Sequence, residues 1–111
     1  MAPGPKAEQY EKYIVNNSND KILSPSIVLF EVYRKLKKEK GEEKALEAHA
    51  HLQNTRVVPL DEGIALNAAD ISLKTNLGTV DSIIYATALR YHAELVTGDH
   101  HFKELPNVTI I

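Results

Sequence analysis

The sequence predicts an α/β fold, a mostly parallel sheet flanked by helices on both faces, and three observations support it. Short apolar runs alternate with longer stretches of three-to-four apolar spacing, the order that builds strand–helix–strand units. The 111 residues are 43% apolar and 25% charged with a formal net charge of -2, the proportions of one ordinary soluble domain. No repeat, low-complexity tract or linker interrupts them, so a single domain over 1–111 is expected.

The elements follow in order. Pro3, Gly4 and Pro5 suit neither helix nor strand, so residues 1–5 form a frayed lead-in. Lys6 to Asn17 reads as a helix, with Ala7, Tyr10, Tyr13 and Ile14 at spacings of three and four. Asn16 to Asp20 supplies a turn and Lys21 to Leu23 a short strand. Ser24 before Pro25 pairs a hydroxyl cap with proline at the first helical position, and the helix it opens runs to Lys40 and stops at Gly41. A further helix spans Glu42 to Gln53, and Arg56 to Leu60 is a strand ended by its proline. Asp61 caps a helix reaching Asn76, Gly78 breaks it, and Asp81 to His92 is the last helix. Glu94 to Thr97 and Val108 to Ile111 close the chain as strands.

Composition removes several chemistries. Without cysteine there is no disulfide scaffold, thiolate metal site or thiol nucleophile. No apolar run approaches the roughly 20 residues that span a bilayer, and MAPGPK lacks the apolar core of a signal peptide, so no membrane association is expected. The mixed charge fits the cytoplasm. Near-neutrality argues against a general nucleic-acid coat and leaves room for a local basic stripe. Arg34, Lys35, Lys37, Lys38 and Lys40 form such a run, which serves either as a solvated helix end or as a phosphate track.

Three acids stand out. Glu31 is the only charge in IVLFEVY, the pattern of a buried turn, where a carboxylate needs a partner or a cation; Arg34 and Lys35, three and four residues on, are the ordinary partners. Asp81 opens a helix whose next eight residues carry no charge, and a first-turn Asp is ordinarily a cap. Asp99 follows the strand Glu94 to Thr97 through Gly98, where an Asx turn is the common use, and it projects into the crevice beyond the strand ends. Together the three face one sheet edge. Carboxylates gathered without basic partners repel one another unless a hard divalent cation, Mg²⁺ or Mn²⁺, lies between them. Such a site activates water and neutralises charge on a phosphoryl group, as phosphodiester hydrolysis requires.

These blocks carry a resemblance. ILSPSIVLFEVYRKL from Ile22, VDSIIYATA from Val80 and LVTGDHHFKELPNVTII from Leu95 resemble the second, third and fourth acidic blocks of PIN domains of the VapC toxin type. The resemblance implies a three-layer sandwich and a metal-dependent endoribonuclease that hydrolyses RNA with a metal-activated water. It implies Glu31, Asp81 and Asp99 as metal-site acids with Thr97 a supporting hydroxyl, and a homodimer bound by a small antitoxin. PIN domains begin with a strand ending in a first Asp, whereas Pro3-Gly4-Pro5-Lys6 resembles the loop after it. The expectation is therefore a chain shortened at its N-terminus, with a vacancy between the strands Lys21 to Leu23 and Glu94 to Thr97. A catalytically inactive module binding antitoxin or RNA is the rival reading. A response-regulator fold would want two acids after a first strand and a lysine in the closing loop, and neither is evident. His100 and His101 either help a leaving group or cover Asp99, and the second is the favoured reading.

Overall fold

A computed structural model describes residues 13–16 and 22–111, the first four by backbone alone. The elements are β1 (Tyr13–Asn16), β2 (Ile22–Pro25), α1 (Ser26–Lys40), α2 (Glu42–Leu52), β3 (Arg56–Val58), α3 (Glu62–Lys74), α4 (Thr79–Arg90), β4 (Glu94–Thr97), a short 3₁₀ turn (His100–Phe102) and β5 (Val108–Ile110). The predicted α/β class holds. The sheet order is β3-β2-β1-β4-β5, with β2 parallel to β3 and β4 parallel to β5.

The middle of the sheet corrects the sequence reading. Tyr13–Asn16 lies within the segment expected to be helical, yet it is a strand, antiparallel to both β2 and β4. Residues 1–12 and 17–21, which hold the rest of that expected helix, the frayed lead-in and the turn, lie outside the described residues. The expected vacancy between β2 and β4 is thus filled. The reason is the cost of orphaned backbone: two facing rows of N–H and C=O groups inside a sheet need partners, and the β-branched pair Ile14-Val15 suits an extended backbone at least as well as a helix. Local periodicity loses to that demand.

Because β1 opposes both neighbours, β2 and β4 run in one direction, and β3 and β5 run with them. Four carboxyl ends therefore share one edge. Tyr13 pairs with Thr97 in the ladder, so β1 begins at that edge where its neighbours finish. Two helix pairs, α1–α2 and α3–α4, cover the faces, as right-handed crossovers require when the chain steps outward from β2 to β3 and back across to β4.

Smaller differences have local causes. Ser24 is not a helix cap: it stays in β2, buried, with its hydroxyl 2.5 Å from Thr55 Oγ1. Pro25 takes the cap position without a side-chain bond, and α1 begins at Ser26, whose Oγ accepts from Leu60 N–H at 3.1 Å. Gly41 ends α1 at φ 96, the left-handed backbone that glycine tolerates, and its N–H returns to Leu36 and Lys37 carbonyls. Asp61 caps α3 as predicted, accepting from Ile64 N–H at 2.9 Å. That bond first, and then the Arg90 guanidinium at 3.1 and 3.2 Å, hold its carboxyl below the usual carboxylate range.

The core gathers Leu23, Val28, Val32, Leu36, Ile64, Ile84, Leu95 and Phe102. Helix α4 is the most enclosed, with Ser82 and every residue from Ile84 to Ala88 buried. Among the described residues no helix is long and apolar enough to cross a membrane.

A proline within β1 tests the central strand. Val15→Pro removes a ladder donor from the middle of the sheet, and urea unfolding should show a loss of at least about 1–3 kcal/mol. A near-neutral result would refute the central-strand assignment.

Candidate functional site

The site is built at the carboxyl edge by α4 and by the turn after β4. Asp81 is the third residue of α4, behind Thr79 at the start and Gly78 at the cap, so it lies in the first turn without opening the helix as expected. An acid there complements the helix dipole. The sealed face of α4 behind it fixes where its carboxylate emerges.

Asp99 is set by hydrogen bonds within its own turn. The Thr97 hydroxyl, fully buried, accepts from Asp99 N–H at 3.1 Å. Asp99 Oδ1 accepts from His101 N–H at 2.9 Å, capping the 3₁₀ turn, and lies 2.9 Å from His101 Nδ1. The aspartate serves the Asx-type role read from its glycine neighbour and at the same time presents its carboxylate at the sheet edge.

The two acids converge. Asp81, Asp99 and His101 each offer a ligand atom within 4.8 Å of the other two, with both carboxylates half-buried and the imidazole exposed. Two carboxylates and one imidazole, with no thiolate, form a donor set suited to Mg²⁺, Mn²⁺ or a later first-row divalent ion.

Glu31 is placed differently from the sequence reading. Val28, Val32 and Leu36 carry the buried stripe of α1, while Glu31 and its neighbour Phe30, 62% exposed, face outward. The apolar run IVLFEVY therefore is not a turn enclosed on all sides. Glu31 stands outside the 4.8 Å group formed by the other three residues. It belongs to a helix that leaves from the carboxyl edge after β2 and packs against α4. Glu31 is the sixth residue of that helix and lies on its exposed side.

The comparison with known families settles the lineage. The model of the PIN domain matches residues 2–108.

This chain belongs to the PIN domain family.

A solved structure described as a toxin-antitoxin complex from Klebsiella pneumoniae is similar at TM-score 0.68 and 26% identity, covering 77% of this chain and 69% of that one. No curated protein matches significantly. The PIN resemblance read from the three acidic blocks agrees with both findings. His101 is the residue the sequence reading undervalued. Its signal was present in the spacing, since the second residue after a capping Asp has its N–H turned toward that carboxylate.

The turn is held from below. Phe102 is fully buried and its ring lies 6.3 Å from that of Tyr85, whose hydroxyl donates to Pro106 carbonyl at 2.7 Å. Glu104 and Asn107 take left-handed backbone, φ 71 and 63, so the segment bends sharply around this anchor. Tyr85 stands one helical turn after Asp81, and one helix thereby carries an acid of the group and secures the loop holding the other two members.

Burial pushes the Tyr85 hydroxyl above its ordinary value near 10. The neutral phenol is favoured in the folded state, so its contribution is complete below about pH 10 and is lost as pH rises through the folded value. Tyr85→Phe should lower stability by about 1 kcal/mol at neutral pH. The deficit relative to the natural chain should shrink in alkali, followed by thermal melts from pH 7 upward; a deficit independent of pH would show that the hydroxyl is not held there.

Proposed function

We propose that this chain is a divalent-metal-dependent endoribonuclease, the toxin member of a toxin–antitoxin pair. It works as a single domain spanning 1–111, a homodimer, in the cytoplasm. The observation that carries the reading is the convergence of Asp81 and Asp99 with His101 at the carboxyl edge of a PIN domain. The likeness to a structure described as a toxin-antitoxin complex supports a small antitoxin as partner.

A bound Mg²⁺ or Mn²⁺ supplies an acidified water and positive charge for the phosphodiester under attack. The protein's part is positional. Asp81 and Asp99 hold the ion, with Thr97 keeping the Asp99 turn in shape from within the sheet. Glu31, set further out on α1, serves as the outer acid that reaches the site through water. Exposed Arg34, Lys35, Lys37, Lys38 and Lys40 on the same helix provide cations for the RNA backbone.

The inactive binding module retains a specific observation in its favour. Glu31 stands outside the 4.8 Å group, and the central strand begins at the site edge, where the family's first strand ends in an Asp.

The experiment is RNA cleavage. Single-stranded RNA should be cut with Mg²⁺ or Mn²⁺, and chelation should stop the reaction. Asp81→Asn and Asp99→Asn should each reduce the rate about 100-fold with the fold intact by circular dichroism, and Glu31→Gln about tenfold. Undiminished cleavage by both Asn variants would overturn the mechanism. A folded natural chain that binds antitoxin and cuts no RNA would establish the binding module.

A further inference from the structure

His101 is the one member of the converging group that is not an acid. Its side chain is 77% exposed, and no packing demand explains an imidazole there. Its Nδ1 lies 2.9 Å from Asp99 Oδ1, and Asp81, Asp99 and His101 each offer a ligand atom within 4.8 Å of the other two. Neighbouring ligands on one octahedral ion with bonds of about 2.1 Å are separated by about 3 Å, and opposite ones by about 4.2 Å. The Asp99–His101 spacing is that of neighbouring ligands on one ion, and Asp81 offers a carboxylate oxygen within 4.8 Å of both residues' ligand atoms.

We infer that His101 is a metal ligand, and that its imidazole turns the ion preference of this site from Mg²⁺ toward Mn²⁺. The inference rests on the metal-site reading above and adds a nitrogen donor to its two carboxylates. Mg²⁺ is a hard ion that favours oxygen and dehydrates reluctantly, so replacing an oxygen ligand by imidazole gains it little. A first-row transition ion accepts imidazole readily, and its affinity rises along the series from Mn²⁺. The local backbone prepares the arrangement. The His101 N–H bond to Asp99 Oδ1 fixes the 3₁₀ turn and keeps the ring over the carboxylate. Ligation needs the Nδ1 lone pair, so on binding the ion the ring proton that Nδ1 directs at Asp99 in its absence would move to Nε2, on a ring largely open to solvent.

The test uses Mn²⁺ itself as the probe on the full chain, by pulsed electron paramagnetic resonance and by calorimetry. Bound Mn²⁺ should show modulation from a directly coordinated nitrogen in the natural chain and in His100→Ala, and none in His101→Ala. The ratio of Mn²⁺ to Mg²⁺ affinity should fall about tenfold in His101→Ala through weaker Mn²⁺ binding, with Mg²⁺ affinity nearly unchanged. His101→Asn, which keeps a polar side chain over Asp99, should lose the nitrogen signal likewise and guards against a folding defect in the alanine variant. Mn²⁺ bound in an Asp81- and Asp99-dependent way without nitrogen modulation would overturn the role of His101 and leave the metal site standing. Modulation that survives in both His101 variants would overturn it as well. Failure of the natural chain to bind either ion would overturn the metal reading and this inference together.

Discussion

The structure depends on the backbone pairing of one four-residue strand. β2 and β4 run in the same direction and never touch each other's ladders; each is joined to the sheet's centre only through Tyr13–Asn16. Interstrand spacing then sets β2 and β4 about 9–10 Å apart, and the helices that follow β2 and precede β4 inherit that separation. Without the middle strand both inner edges would present unpaired donors and acceptors to a dry interior, each costing on the order of 1–3 kcal/mol. The antiparallel β1 meets this demand along all four residues of β4 and at Ile22 and Leu23 of β2. Hydrogen bonding satisfies the neighbouring ladders in either direction, so the sheet's continuity does not require the parallel polarity of the other four strands.

A second constraint is layered on the first. Helix α4 has to bury most of its surface while carrying hydroxyl groups, and it does so by spending them close to home. Thr87 donates to the Ile83 carbonyl at 2.8 Å, and Tyr85 reaches across to Pro106. Among the described residues no buried side-chain polar atom lacks a partner. A helix held on so much of its circumference has little freedom to rotate or slide, since any shift would open contacts across a close-packed core. Its first turn is consequently a fixed mount. The last turn of the same helix carries Arg90, which grips the Asp61 cap of α3. Stability and site geometry therefore share one element.

How far the sequence disclosed this varies by the kind of physics involved. Glu94–Thr97 was legible to the residue, because a strand stopped by Gly98 is a matter of local chain chemistry. The same holds for Asp61, whose cap needs only its own helix. Tyr13–Asn16 was not legible, because its helical spacing is a local property and its strand identity comes from pairing with β2 and, along its whole length, with residues more than 75 positions later, Glu94 to Thr97. Glu31 was misjudged for a related reason. Apolar neighbours on every side of a helix indicate burial only if every side has a neighbour to meet, and the side bearing Phe30 and Glu31 meets solvent. Asp81 and Asp99 were legible as types and positions, while their proximity depended on a topology that returns β4 to the edge where α4 begins. His101 was visible only as a neighbour of Asp99.

The site itself shows why proximity of like charges is sustainable here. Two half-buried carboxylates with oxygens within 4.8 Å repel each other, and a free loop would relax by moving apart. This loop is denied that motion. Phe102 is sunk in the core immediately after His101, Thr97 pins the amide of Asp99 from within the sheet, and Tyr85 holds the carbonyl of Pro106. The repulsion is thus borne by packing energy elsewhere, and part of it is offset at the site by the His101 backbone and ring bonds, which both fall on Oδ1 of Asp99. A cation entering between the acids would meet ligands already brought together, with the ordering cost met during folding. Preorganisation of that kind follows from the buried half of the turn, Thr97 and Phe102, more than from the acids it presents.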